Sequence, residues 1–224
     1  MKEINENDDN NNNDKIIQEN NNDKEESIKV VLVGESGVGK TSLISLFTSG
    51  KVDPDITTTN GATFITKREE NKESNIKINF EIWDTAGQEK YRSLSKRFFH
   101  DANVALIVYD ITNKKSFEEI KGYWMDFLKE NSPENIIKYI VGNKCDLWKN
   151  QQINEKEAQD YAEKNNAYHW LTSDKEQQRI NRLFDDIKKK YLSIENNNNE
   201  ENGKSKGISI DNQRDNKKER KCIC

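Results

Sequence analysis

The segment that most constrains this chain is Gly34-Glu35-Ser36-Gly37-Val38-Gly39-Lys40-Thr41. Before it stands a short β-branched run, residues 28–33. After it, residues 40–48 place Leu43, Ile44 and Phe47 on one helical face. A G-x-x-x-x-G-K-[ST] pattern between a strand and a helix has a direct physical reading. The glycines let successive backbone N–H groups turn toward one centre, and the helix N-terminus adds positive potential there, so the loop suits phosphate. Lys40 would reach the β- and γ-phosphates, and the Thr41 hydroxyl would ligate Mg²⁺. The phosphate-binding set is Gly34, Glu35, Ser36, Gly37, Val38, Gly39, Lys40, Thr41 and Ser42. By itself it indicates a nucleoside triphosphate and leaves the base open.

Downstream the pattern alternates. Residues 63–67, 76–83, 103–110, 136–141 and 168–171 read as strands, the first two joined by a charged loop at 68–75. Residues 116–130, 154–165 and 180–194 read as helices, with Ser116 as the expected cap of the first. This order predicts an α/β fold: a six-stranded, mostly parallel sheet with helices on both faces. In such sheets ligands sit at the carboxyl ends of strands, so the loops after each strand carry the chemistry.

Composition matters mainly at the ends. Charged residues make up 34% of the 224 and hydrophobic ones only 32%, but the imbalance is concentrated in two tails. Residues 1–26 hold nine Asn, nine acidic groups and three Lys, too few apolar side chains to offset ordering entropy. They are expected to be a disordered extension, with 27–194 as the folded domain and 195–224 as a flexible tail. The middle block is close to neutral, which gives no basic face for nucleic acid. No apolar run approaches the roughly 18 residues of a membrane helix, and the N-terminus lacks the apolar core of a secretory signal. With one internal cysteine, Cys145, the chain reads as cytoplasmic with reduced thiols.

Two further loops specify the chemistry. Asn143-Lys144-Cys145-Asp146 follows a predicted strand. An ionised Asp only accepts hydrogen bonds, and guanine offers two adjacent donors, N1–H and the 2-amino group. Adenine offers neither and would leave the carboxylate unpaired, at a cost of roughly 1–3 kcal/mol or more. Trp83-Asp84-Thr85-Ala86-Gly87-Gln88-Glu89 also follows a strand. Asp84 is placed to hold the Mg²⁺ shell through water. Gly87 can give its N–H to the γ-phosphate, and Gln88 can orient an attacking water. A P-loop ATPase or nucleoside kinase is the first rival, opposed by Asp146. A membrane-tethered module that binds nucleotide with little turnover is the second, opposed by Gln88.

With these residues in view, the stretch 28–192 resembles the small Ras-like GTPases, specifically the Rab family, and so the P-loop NTPase fold. Rab-like segments are Gly61-Ala62-Thr63-Phe64, the run from Ile82 to Leu94, and Val108-Tyr109-Asp110-Ile111-Thr112. The stretch 60–67 most resembles the early-endocytic branch. The resemblance implies a regulator of vesicle trafficking that hydrolyses GTP with Mg²⁺. It implies partners as well: an exchange factor, a GTPase-activating protein, a GDP-dissociation inhibitor or escort protein, and effectors. It implies that Thr59 closes over Mg²⁺ and the γ-phosphate, that Ser173-Asp174-Lys175 line the guanine beside Asn143, Lys144 and Asp146, and that Phe64, Trp83 and Phe98 contact effectors.

The chain departs from the family at three positions. Asp174 replaces an Ala near guanine O6, Val52 stands where an aromatic ring commonly covers the base, and Asn60 replaces an apolar residue beside Thr59. The chain ends Cys222-Ile223-Cys224, with Lys221 excluding a CaaX box. This resembles the Cys-x-Cys ending of Rab proteins, which implies two geranylgeranyl groups. Two lipid chains give a stable anchor where one does not, and Lys217, Lys218, Arg220 and Lys221 would favour an anionic leaflet. The protein would then attach reversibly to the cytosolic face of an endomembrane.

Overall fold

A computed structural model of the chain describes residues 24–52, 59, 61–71, 76–85 and 96–205. Six strands form one sheet: β1 Lys24–Val33, β2 Ala62–Asn71, β3 Ile76–Thr85, β4 Val104–Asp110, β5 Ile137–Asn143 and β6 Ala167–Leu171. Their order is β2-β3-β1-β4-β5-β6, parallel throughout except for β2, which runs antiparallel to β3. The helices are α1 Lys40–Ser49, α2 Lys96–Phe99, α3 Lys114–Glu119, α4 Met125–Asn131, α5 Glu155–Lys164 and α6 Gln177–Ser205. Between α3 and α4 the helix continues through a π-helical turn, Ile120–Trp124, around Gly122.

Alternation along the central strands divides the interior into two cores. Val30 and Leu32 of β1 point to one face, where Leu43 and Phe47 of α1 meet Leu183, Phe184 and Ile187 of α6. Val31 and Val33 point to the other, toward Phe99, Phe117, Trp124, Phe127 and Ala158. All seven residues of β4 are buried, as a central parallel strand covered on both faces requires.

Several boundaries differ from the sequence reading. The cap of α3 is Asn113, not Ser116: Asn113 is extended and its side chain accepts from the Lys115 N–H. The Ser116 hydroxyl accepts instead from the Asp110 N–H, at 3.0 Å. Residues 68–71, read as loop from their charge, continue β2. Arg68 and Glu70 are exposed, while Lys67 and Glu69 face inward and find partners. Lys67 donates to the Phe47 carbonyl at the end of α1 and pairs with Glu69, and Glu69 pairs with Lys188 of α6 at 2.7 Å. The last helix runs past 194 to Ser205, because its packed turns seed it and no proline interrupts residues 195–205.

Candidate functional site

The loops after β1, β4, β5 and β6 converge with the end of β3 at the carboxyl edge of the sheet. The first depends on glycine for space. A Cβ on Gly34, at φ +141°, would lie 2.1 Å from the Val108 carbonyl oxygen. One on Gly39, at φ +96°, would lie 2.3 Å from the Asn143 side-chain nitrogen. Gly39 also precedes the first residue of α1, so the loop opens directly onto the positive end of a helix. Lys40 is 6% exposed, and its ammonium donates to the carbonyls of Gly34 and Glu35 at 2.8 and 2.9 Å. Burial pulls its pKa down to about 8 against the opposing pull of Asp84 and Glu35. A buried ammonium with two carbonyl partners suits a phosphate anion, whose charge would raise its pKa again.

Beside it three oxygens meet. The Thr41 hydroxyl donates to Asp84 Oδ2 at 2.6 Å and lies 2.7 Å from the Thr59 hydroxyl, which donates to the same Oδ2 at 3.3 Å. Burial raises the pKa of Asp84, although the two hydroxyls and Lys40 pull the other way. Its second oxygen, Oδ1, is buried without a protein hydrogen-bond partner. An all-oxygen set of two hydroxyls and a carboxylate with a spare acceptor fits Mg²⁺ and its waters. Gly87, Gln88 and Asn60 lie outside the described residues.

The base side is built on β5 and β6. Asn143 is fully buried: its Nδ2 donates to the Val38 carbonyl at 2.9 Å and its Oδ1 accepts from Thr172 Oγ1 at 3.1 Å. It therefore joins the phosphate loop to the two base-side loops. Lys144, left-handed at φ 62°, donates to the Gly37 carbonyl at 2.8 Å and pairs with Asp110 Oδ2 at 2.7 Å. Asp146 accepts from Ser173 Oγ at 2.7 Å and from the Lys175 ammonium at 2.6 Å. The Lys175 hydrogen bond holds its carboxyl below the usual range. A carboxylate has about four acceptor directions, so two remain for guanine donors.

The expected base-side residues thus come together, with Ser173 and Lys175 holding Asp146. Asp174 is half-buried beside them. Val52 is half-buried and packs on the first core cluster. Thr172 and Asp110, both within hydrogen-bond reach of the Asn143–Asp146 loop, were not singled out from sequence, because only the folded sheet brings strand ends together. Just past Asp146, Trp148 is 64% exposed. On the β2–β3 side, Phe64 lies 4.8 Å from Trp83, and Trp83 stacks on Phe98 at 4.6 Å, a continuous aromatic surface with Phe64 half in solvent.

Comparison with known proteins agrees with this arrangement. The model of the Ras family matches residues 29–193. Human Ras-related protein Rab-22A is 40% identical over 170 residues, covering 76% of this chain and 86% of the relative. Rat Ras-related protein Rab-31 is 41% identical over 186 residues, covering 83% and 92%. Ras-related protein RabJ of Dictyostelium discoideum is 44% identical over 169 residues, covering 75% and 65%. With the fold, the converging loops and the extent of these matches together, the chain belongs to the Ras family of small GTPases, in its Rab branch.

Proposed function

We propose that this GTPase works as a membrane-anchored GTP/GDP switch whose chemistry is distributed over the loops just described. As a Rab protein it hydrolyses GTP and regulates vesicle trafficking, and it binds guanine nucleotide and acts through regulators and effectors. The residue assignments, Mg²⁺ and the lipid anchor are our reading. Asp146 accepts the guanine N1–H and 2-amino donors, steadied by Ser173 and Lys175, while Asn143 fixes the distance between base and phosphates. Lys40 and the loop N–H groups hold the phosphates. Thr41, Thr59 and Asp84 would hold Mg²⁺, which would supply positive charge to offset that of the phosphates. Gln88 orients the water, and Gly87 donates to the γ-phosphate. Loss of that phosphate removes what Thr59 closes on, which changes the surface around Phe64, Trp83 and Phe98 that effectors contact. Cys222 and Cys224, both prenylated, tether the domain. Among the described residues no helix is long and apolar enough to cross a membrane.

The observation that carries this reading is the meeting of Thr41, Thr59 and Asp84 beside the buried Lys40. Single-turnover hydrolysis tests it. Gln88→Leu should lower the rate of GTP cleavage while leaving nucleotide affinity nearly unchanged, because its side chain acts on water. Asp146→Asn should move preference from guanine toward xanthine nucleotides, whose 2-oxo group needs a donor. Parent-like cleavage by the first variant would remove Gln88 from the mechanism, and full guanine preference in the second would displace Asp146.

A further inference from the structure

We infer that Asp110, the last residue of β4, is a positioning residue that sets the path of the Lys144 side chain across the base site, a role that rests on the assignment of Lys144 to guanine. Lys144 leaves a left-handed backbone at φ 62° and ψ 36°, a conformation that does not by itself aim a long flexible side chain. Its ammonium is nonetheless fixed at two points: the Gly37 carbonyl of the phosphate loop at 2.8 Å and Asp110 Oδ2 at 2.7 Å. Between those points and its Cα, the four-carbon stem is stretched from the base-side loop to the phosphate loop. That leaves an apolar strip for the face of a planar base, with the charge parked beyond it.

Asp110 is suited to be the fixed end. It is 7% exposed, and its other oxygen accepts from the Thr112 N–H at 2.8 Å and the Thr112 hydroxyl at 2.7 Å. Its own N–H donates to Ser116 Oγ, and the next N–H, that of Ile111, donates to the Asn143 carbonyl at 3.1 Å. The carboxylate is thus oriented by the turn into α3 and has one oxygen left, which faces Lys144. Burial favours the neutral acid, but the hydrogen bonds from Lys144 and Thr112 prevail and keep Asp110 ionised. Asp110 and Thr112 belong to the Val108–Thr112 segment, whose apolar members fill the core while these two side chains face the base-side loop. Two sequence-distant residues therefore share one device: Asp146 reads the edge of the base, and Asp110 governs what covers its face.

The test is release of fluorescent GDP and IDP analogues from the full chain at fixed Mg²⁺, for the parent, Asp110→Asn, Lys144→Ala and the double variant. IDP lacks the 2-amino group that Asp146 reads. Asp110→Asn should speed release of both nucleotides about tenfold, the scale for losing one hydrogen bond between charged groups. The ratio of GDP to IDP release should not change, and the double variant should be no faster than Lys144→Ala alone. Thr112→Val, which removes only the hydroxyl steering Asp110, should move release the same way by a smaller factor and serves if Asp110→Asn does not fold. Parent-like release from Asp110→Asn, or from Thr112→Val where that variant stands in, with fast release from Lys144→Ala would overturn the role of Asp110 and leave the base-side reading intact. An altered GDP-to-IDP ratio or additive effects would mean general loosening of the loops, which also overturns it. Unchanged release from Lys144→Ala would show that the assignment of Lys144 to the base had failed, and the inference with it.

Discussion

Asn143→Ala is the sharpest probe of how the two halves of the site are joined. The Asn143 side chain has two duties at the joint, toward the Val38 carbonyl and the Thr172 hydroxyl, and all three residues are 1% exposed or less. Truncation leaves both partners buried without that amide. Each orphaned group costs roughly 1–3 kcal/mol, so about 4 kcal/mol is the middle of the expected loss for the two, or about three decades in an equilibrium constant. Part falls on the fold, since β5 and β6 are coupled through Thr172. Part falls on nucleotide grip, since the phosphate loop loses its register against Asp146. Fluorescent GDP release should therefore quicken by about 10- to 100-fold, alongside a lower urea midpoint. Thr172→Val removes only the second bond and should show the smaller effect in both assays, on the scale of about 1 kcal/mol. Release from Asn143→Ala within about twofold of the parent, or a larger effect from Thr172→Val, would refute the argument that this amide carries the coupling.

Phe184→Ala removes a fully buried ring stacked on Phe47 and edge-on to Phe80, and should cost about 3–5 kcal/mol in urea unfolding without altering base preference. Burial lowers the pKa of His169, whose Nε2 lies 3.2 Å from the Tyr109 hydroxyl. The unfolded chain therefore takes up this proton first, and stability should fall as pH drops below 6.5 toward the folded value. His169→Gln should flatten that slope, read as urea midpoints on either side of the window. Val52→Phe should slow GDP release about tenfold by covering the base edge, and unchanged release would point to another cover such as the exposed Trp148. Replacing both Cys222 and Cys224 by Ser should abolish membrane pelleting and leave GTP binding intact, whereas continued pelleting would place the anchor elsewhere.

The features legible in sequence were those whose cause is local. Gly34 to Thr41 announces itself because the turn, the helix start and the phosphate chemistry share eight consecutive residues. The buried strands β4 and β5 were legible because a continuous apolar run of that length has few other uses. What escaped depends on distant partners. The charged residues 68–70 read as loop because their polarity hides an alternation completed only when Glu69 meets Lys67 and Lys188, the latter brought close by folding. Asn113 and Ser116 are both competent caps. The choice fell to Asn113 because Ser116 is taken by the Asp110 N–H from the end of β4. The π-helical turn leaves no clear mark beyond Gly122, and the partnership of Lys144 with Asp110 leaves none at all.

The packing of α6 has a mechanical consequence. The helix begins beside α1, where Gln177 reaches the Leu46 carbonyl, and runs down the sheet until Tyr191 and Ile194 lie beside Asn103 and Ile137 at the amino ends of β4 and β5. Its 29 residues span roughly 43 Å, so it overshoots the strands on the side away from the nucleotide loops. A pull on the chain end is therefore delivered along the helix axis, parallel to the face it covers. Leu183, Phe184, Ile187 and the Lys188–Glu69 ion pair share that load in shear and must yield together, whereas a pull across the face would peel them one at a time. A domain towed by its C-terminus is thus gripped in its strong direction, and the tension reaches β2, the strand that follows Thr59, through Glu69.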